Sequence, residues 1–146
     1  THFNIPASMI SVEVTEHVLG DRGSEFVVRA LKKLVEAGAK VALDDFGTGH
    51  SSLAHLRDYP VNCLKIDRSF VQCIDHDPQI RAIVAAIGQL GPSLSLDIIA
   101  EGIETPIQRE TLIDAGCSLG QGFLYSQAIA ATEVEDILQN TMYFTR

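Results

Sequence analysis

The feature that most constrains this sequence is a repeated unit, in which a short apolar strand ends in charged residues and a helical stretch follows. The unit occurs at residues 9–16, 41–49, 61–67 and 94–101. Alternating strands and helices predict a parallel sheet, because parallel strands need a crossover connection that is usually a helix. Functional residues at the carboxyl ends of such strands are typical of a (β/α) barrel or an open α/β sheet. We therefore expect an α/β fold with a site along one edge of the sheet.

The strand near residue 41 ends in two adjacent carboxylates, Asp44 and Asp45, before a glycine-rich turn. Adjacent carboxylates repel each other and lose hydration, so a fold tolerates them at a strand end mainly where cations hold them. Hard divalent metals take oxygen ligands of this kind. Taken alone, the segment is equally compatible with a solvated acidic turn. The charged residues at the other three strand ends are Glu13, Lys65, Asp67 and Glu101.

The composition limits the class of protein. A chain of 146 residues with 46% hydrophobic content can bury the core of one domain. A complete eight-fold barrel typically takes roughly 250 residues, so only part of one is expected here. The formal net charge of −8 argues against a groove for nucleic-acid polymers, which requires clustered Lys and Arg. A phosphorylated substrate remains compatible, because bound metals reverse the local field.

The cysteines and the apolar runs indicate the cellular setting. Cys63, Cys73 and Cys117 lack metal-ligand spacing and are odd in number, which favours reduced thiols in a cytoplasmic protein. No run approaches the roughly 20 apolar residues of a membrane span. The first residue is not Met, and we interpret the start as a cut end. Any membrane anchor of the parent protein is expected in segments outside this chain.

Capping residues and apolar periodicity predict five helices and a fifth strand. The fifth strand is expected at residues 122–126. Four phenylalanines, Phe3, Phe26, Phe70 and Phe123, are predicted to pack in or near the core. The helices are predicted at 24–37, 52–59, from 77 toward 90 or 91, from 105 to 116, and from 132 through 138.

Five short motifs follow one another along the chain, at residues 13–16, 44–49, 64–70, 100–105 and 120–126. In this order and spacing they resemble the EAL domain, the family of bacterial cyclic-di-GMP phosphodiesterases. The resemblance covers about residues 6–126. It predicts the C-terminal part of a modified (β/α)8, TIM-type barrel with about five strands and five helices. Residues 1–146 would then be the C-terminal portion of a single EAL domain whose first strands lie upstream.

The resemblance also implies a reaction and a set of roles. The family hydrolyses one phosphodiester bond of cyclic di-GMP to give linear pGpG, with Mg²⁺ or Mn²⁺ in a two-metal site. Paired metals suit this chemistry, because they activate water and neutralise phosphate charge. By resemblance, the metal ligands are Glu13, Asp44, Asp45 and Asp67, the catalytic residues are Lys65 and Glu101, the substrate rim holds Gln121, and Glu16 and Glu104 support the loop after Asp45.

Alternatives remain open for single residues. Glu16 and Glu104 are equally compatible with surface charges, and Asp67 could pair locally with Arg68.

Alternatives also remain open for the whole chain, as a cyclic-di-GMP receptor without turnover or a structural half-barrel. The complete set of acidic strand ends with Lys65 favours the enzyme. The family's Glu-Ala-Leu segment and an Asn ligand belong upstream of Glu13, so the chain alone is expected to be inactive. Because a partial barrel leaves open sheet edges, the chain alone is also expected to self-associate or to need its N-terminal half. A homodimer and attached sensor or diguanylate-cyclase-like domains are expected in the parent.

Overall fold

The structure, a computed structural model, describes residues 4–20, 24–47, 56 and 59–139. Within them a single sheet contains five parallel strands in the order β1-β2-β3-β4-β5, which is also their order along the chain. This sequential parallel order confirms the expected α/β architecture. The strands are β1 (Ser11–Thr15), β2 (Lys40–Phe46), β3 (Cys63–Ile66), β4 (Asp97–Ala100) and β5 (Leu119–Gly120).

Helices connect the strands or follow the last one. Two of them, α1 and α3, are short helices that the sequence pattern did not predict. The helix predicted at 52–59 lies outside the described residues except for Leu56 and Tyr59. The described helices are α1 (Glu16–Gly20), α2 (Ser24–Glu36), α3 (Arg68–Cys73), α4 (Pro78–Leu94), α5 (Pro106–Asp114) and α6 (Val134–Gln139), with 3-10 turns at Ala7–Met9 and Ala131–Glu133.

The predicted caps at the starts of α4 and α5 are confirmed. Asp77 accepts hydrogen bonds from the backbone N–H groups of Gln79, at 2.8 Å, and Ile80, at 3.2 Å. Thr105 and Gln108 form a reciprocal capping box at the start of α5. Side-chain acceptors at these positions satisfy N–H groups that have no partner inside the helix. The helices therefore begin where the sequence predicted.

Two helix boundaries differ from the prediction. Helix α4 continues past Gly91 and ends at Leu94, where Ser95, with a left-handed φ of 58°, caps it. The last helix, predicted from residue 132, begins at Val134 instead and is preceded by the 3-10 turn at Ala131–Glu133. There the carboxylate of Glu133 accepts from the Ala130 N–H at 3.0 Å.

The core lies on both sides of the central strands. Every residue of β3 is buried, and so are Val41, Ala42 and Leu43 of β2. Strands buried on both faces are the rule in α/β proteins, because helices cover one face and a second apolar layer covers the other. Lys65 is the exception in this apolar setting, a charged residue in the middle of the sheet that is only 4% exposed. Such a lysine requires partners.

The fifth strand is shorter and earlier than predicted. It comprises Leu119–Gly120, and residues 122–126 form a turn instead. The cause is Gly122, which has a φ of 155° and lies so close to Ile103 that an added Cβ would collide with its backbone. The Tyr125 N–H then bonds back to the Gly122 carbonyl at 3.0 Å, which closes the turn.

Two of the four phenylalanines do not pack as predicted. Phe70 is half-buried against the core, but Phe26 on α2 and Phe123 in the turn after β5 are exposed. Phe3 lies outside the described residues. Helix α2 faces the core through Leu31, which is 3% exposed, so Phe26 falls on its outer side. No helix in the described part of the chain is long and apolar enough to cross a membrane.

Candidate metal and phosphate site

The centre of the candidate site is Lys65, whose side chain is 5% exposed. Its ammonium lies 2.7 Å from Oε2 of Glu13, 3.2 Å from Oδ1 of Asp44 and 2.5 Å from Oε1 of Glu101. The four residues, which we call the strand-end cluster, come from β1, β2, β3 and the residue after β4. The structure thus brings together four of the predicted site residues.

The register of the sheet explains this convergence. Glu13 pairs with Ala42, so Asp44 lies two positions further along β2 on the same face. Lys65 pairs with Ile99, and Glu101 follows two positions later in the same way. The Glu101 N–H also continues the pairing to the Ile66 carbonyl, at 3.1 Å. The cluster is therefore a product of strand alignment.

The cluster holds three carboxylates but only one ammonium group, so its charges do not cancel. Burial alone would lower the pKa of Lys65, but hydrogen bonds to Glu101 and Glu13 and the charge of Glu101 outweigh burial and raise it above its ordinary value. Lys65 is therefore a permanent cation at neutral pH. With the three carboxylates ionised, the cluster carries two excess negative charges, which is the charge that one divalent cation neutralises.

Gln121, which was predicted at the substrate rim, lies at the edge of the cluster. Its Nε2 donates to Oε1 of Glu101 at 2.9 Å. Backbone bonds from the Gln121 N–H to Ala100 and from the Ile103 N–H to the Gln121 carbonyl fix its position, at 2.9 and 3.1 Å. Gln121 therefore orients the carboxylate of Glu101 toward Lys65.

Asp45 adopts a backbone conformation that is uncommon for a residue with a side chain. Its φ is 55°, and the pairing of β2 with β3 shifts register between Leu43 and Phe46. The Asp45 N–H donates to Oδ1 of Asp44 at 3.0 Å. This bond helps to fix the Asp44 carboxylate, and the backbone irregularity marks the end of β2 as a constrained position.

Asp67 has a structural role that its spacing from Lys65 did not predict. Its Oδ1 accepts from the N–H and the hydroxyl of Ser69, at 2.9 and 2.5 Å, and so caps α3. The hydrogen bond from the Ser69 hydroxyl lowers the pKa of Asp67, so the carboxylate stays ionised. The suggested local pair with Arg68 is replaced by an ion pair between Arg68 and Glu104, at 2.6 Å.

Glu16 and Glu104 have different surroundings. Glu16 begins α1 and is 6% exposed, so it is not a solvated surface charge. Glu104 is partly exposed and pairs with Arg68, while its N–H donates to Gln108 at 2.8 Å. Of the loop that both were predicted to support, residues 46–52, only Phe46 and Gly47 are among the described residues. Their bracing role stays a prediction.

Residues after the strand ends form a cavity of about 280 Å³ that the sequence did not predict. Arg68 comes directly after Asp67, a predicted metal ligand, and the exposed Phe123 comes directly after Gly122 in the motif that contains Gln121. This position next to predicted site residues was the only sequence signal that they line a cavity. Gln121 lines the cavity and bonds to Glu101, so a ligand bound there would lie next to the strand-end cluster. Its lining includes Arg68, Gly102, Glu104, Gln121, Gly122 and Phe123.

The donor chemistry of the cluster fits a divalent cation. Carboxylate oxygens are the ligands that hard divalent cations prefer, and the excess negative charge requires compensation. Glu13 and Asp44 are partly open to solvent, with 51% and 21% of their side chains exposed. Within residues 4–20, 24–47, 56 and 59–139, however, no group of three or more acidic, histidine or cysteine side chains is arranged so that it could hold a metal ion.

Comparison with known proteins places this geometry in context. Residues 1–128 match the family model of the EAL domain. Among curated proteins, the chain is 41% identical over 132 residues to the bifunctional diguanylate cyclase/cyclic di-GMP phosphodiesterase MucR of Pseudomonas aeruginosa. The match covers 90% of this chain and 19% of MucR, so the chain spans about a fifth of that relative's length.

Solved structures agree with the sequence comparison. The EAL domain of Mycobacterium smegmatis DcpA matches with a TM-score of 0.87 and 39% identity, over 95% of this chain and 62% of that one. Klebsiella pneumoniae BlrP1, solved with cyclic di-GMP and manganese or calcium, matches with a TM-score of 0.77 and 34% identity. That match covers 84% of this chain and 31% of BlrP1. These neighbours point to a divalent metal in domains of this fold.

Proposed function

This chain belongs to the EAL domain family, and we propose that the protein containing it is a metal-dependent phosphodiesterase that hydrolyses cyclic di-GMP to linear pGpG. The observation that carries the proposal is the convergence of Glu13, Asp44 and Glu101 on Lys65 at one edge of the sheet. Relatives named as cyclic di-GMP phosphodiesterases support the substrate.

The residues of the cluster divide the work of hydrolysis. A bound divalent cation, which we propose to be Mg²⁺ or Mn²⁺, supplies an activated water and neutralises phosphate charge. Glu13 and Asp44 would hold it, and Asp45 and Asp67 are the proposed ligands of a second ion. Glu101, oriented by Gln121 at 2.9 Å, accepts a proton from the attacking water. Lys65 provides a cation for the phosphate oxygens.

We also propose that residues 1–146 act as the C-terminal portion of one EAL domain. The match to 62% of the DcpA chain supports this, as does the position of β1 and β5 at the two edges of the described sheet. A homodimer and an attached diguanylate-cyclase-like domain are proposed partners, the second because MucR carries both activities in its name.

Metal add-back tests the proposed reaction. The intact protein is stripped with EDTA and assayed for pGpG by chromatography after addition of Mg²⁺, Mn²⁺ or Ca²⁺. We expect turnover with Mg²⁺ and Mn²⁺ and inhibition by Ca²⁺, because the longer and looser Ca²⁺ bonds spoil a strict in-line geometry. Turnover in excess EDTA would contradict metal dependence. Binding of cyclic di-GMP without turnover under any of these conditions would instead make the protein a receptor.

A further inference from the structure

We propose that the cavity of about 280 Å³ beside the strand-end cluster holds one guanine base of the substrate, and that Arg68 distinguishes guanine from adenine there. The inference rests on the proposed hydrolysis of cyclic di-GMP and adds a specificity-determining residue to it. In this arrangement the base stacks on Phe123, and Arg68 donates hydrogen bonds to the O6 and N7 acceptors of the base.

The size and position of the cavity suit one part of a nucleotide. Sites that enclose a whole drug-sized ligand typically measure about 300–1,000 Å³, whereas this cavity measures about 280 Å³. Gln121 lines the cavity and donates to Oε1 of Glu101 at 2.9 Å. Because one ribose joins the base and the phosphate of a nucleotide, a base in this cavity would leave its phosphate close to the strand-end cluster.

The aromatic residue of the cavity is Phe123, which has an exposed fraction of 63%. The preceding residue, Gly122, lies against the backbone of Ile103, and this close approach sets the position of Phe123 in the turn. An exposed aromatic ring provides a face on which a base stacks, and such stacking accepts every base, because every base has a π face. Phe123 therefore contributes affinity and leaves the choice of base to its neighbours.

Three neighbours hold the side chain of Arg68 in place. The chain at Gly102 packs so closely against the Arg68 stem that an added Cβ would collide with it. Nη2 of Arg68 donates to Oε1 of Glu104 at 2.6 Å. With the Gln72 amide oriented to accept, its oxygen lies 2.8 Å from Nε and 3.0 Å from Nη2. These bonds involve Nε and Nη2 but not Nη1, so the guanidinium is fixed while Nη1 can donate to a ligand.

The donor chemistry of Arg68 favours guanine over adenine. Guanine presents two acceptors, O6 and N7, along one edge, and arginine is well suited to both. Adenine carries an amino group in place of O6, so a donor would face a donor. An arginine side chain has no acceptor with which to satisfy that amino group. Arg68 therefore disfavours adenine as well as attracting guanine.

Kinetics of the intact protein test the choice of base, with Arg68→Met compared with Arg109→Met. Arg109 is also partly exposed, but it pairs with Glu110 and does not line this cavity. KM and kcat are measured for cyclic di-GMP, and the inhibition constant is measured for the adenine analogue, cyclic di-AMP, titrated to saturation. We expect Arg68→Met to raise KM about tenfold through loss of a charge-assisted hydrogen bond. The value of kcat and the inhibition constant of cyclic di-AMP should not rise, and Arg109→Met should match the wild type.

A second pair of variants tests the stacking face independently. Phe123→Ala is compared with Phe26→Ala, because Phe26 on α2 is also exposed, at 75%, and lies outside the cavity. We expect Phe123→Ala to raise KM for cyclic di-GMP and the inhibition constant of cyclic di-AMP by the same factor, about tenfold, since stacking accepts either base. Phe26→Ala should change neither constant.

The outcomes separate the possible contacts. Equal increases for the two ligands in Arg68→Met would overturn the proposal, because Arg68 would then contact phosphate or ribose and not the base. An unchanged KM in Arg68→Met or in Phe123→Ala would overturn it as well. If the wild type binds cyclic di-GMP without turnover, dissociation constants replace KM and the same outcomes decide. A wild type that neither binds nor hydrolyses cyclic di-GMP would overturn the proposed function together with this inference, whereas normal turnover with unaffected variants would overturn the inference alone.

Discussion

The strand-end cluster and the residues just beyond it lie at the same edge of the sheet but are positioned by different means. Each member of the cluster contacts a partner from another strand, and the strand register sets those contacts. Beyond the strands, Asp67 bonds to Ser69 two residues away, and Arg68 pairs with Glu104 on the next loop. We call these last three charged residues, Asp67, Arg68 and Glu104, the loop rim. Strand register therefore sets the geometry of the cluster, whereas the loop rim is held by a local helix cap at Asp67 and by one solvent-exposed ion pair between Arg68 and Glu104.

The largest expected effect is a loss of turnover. It tests whether the site is defined by the position of a carboxylate at a strand end or by its negative charge alone. In the intact protein, Asp44→Asn should lower the turnover of cyclic di-GMP by more than about 100-fold, beyond the range typical of outer-shell substitutions at metal sites. The reason is that it weakens a proposed metal ligand without changing volume. Asp97→Asn is the control, because Asp97 begins β4 at the opposite edge and pairs only weakly with Lys40. Equal losses in the two variants would show that strand-end position does not define the site.

A smaller effect on stability is expected where Asp67 caps α3. Asp67→Ala should lower the free energy of unfolding by about 1 kcal/mol, because the Ser69 N–H loses its acceptor. Asp67→Asn should lower the free energy of unfolding by only a few tenths of that amount, since an amide oxygen also caps a helix well. Urea denaturation of both variants measures the difference. Indistinguishable stabilities for Asp67→Ala and the wild type would mean that the cap does not hold α3.

The smallest effect is expected from the ion pair of the loop rim. Arg68 and Glu104 lie 2.6 Å apart with about half of each side chain exposed, so solvent screens the pair. A double-mutant cycle of Arg68→Ala and Glu104→Ala should give a coupling energy of about 0.2–1 kcal/mol. A coupling of several kcal/mol would contradict the distinction between the two regions, because the loop pair would then be as tightly constrained as the cluster.

The cluster could be predicted from the sequence because strands constrain their residues in simple ways. Apolar alternation located the strand ends, and parallel pairing brings carboxyl ends to one edge, so six residues were expected together: Glu13, Asp44, Asp45, Lys65, Asp67 and Glu101. The structure brings Glu13, Asp44 and Glu101 into contact with Lys65, whereas Asp67 caps α3. No comparable rule predicts where the side chains of the loops lie. The capping bond of Asp67 depends on the three-dimensional path into α3, which has only six residues and no clear periodicity. The exposed Phe123 and the turn at Gly122 depend on how closely the chain approaches Ile103, a contact that spacing does not encode.

The most direct test of the proposed metal site at the strand-end cluster is to locate manganese in crystals of the intact protein by anomalous diffraction. We predict a peak bound by the carboxylates of Glu13 and Asp44. Manganese bound only elsewhere, or no bound manganese, would contradict the proposed metal site.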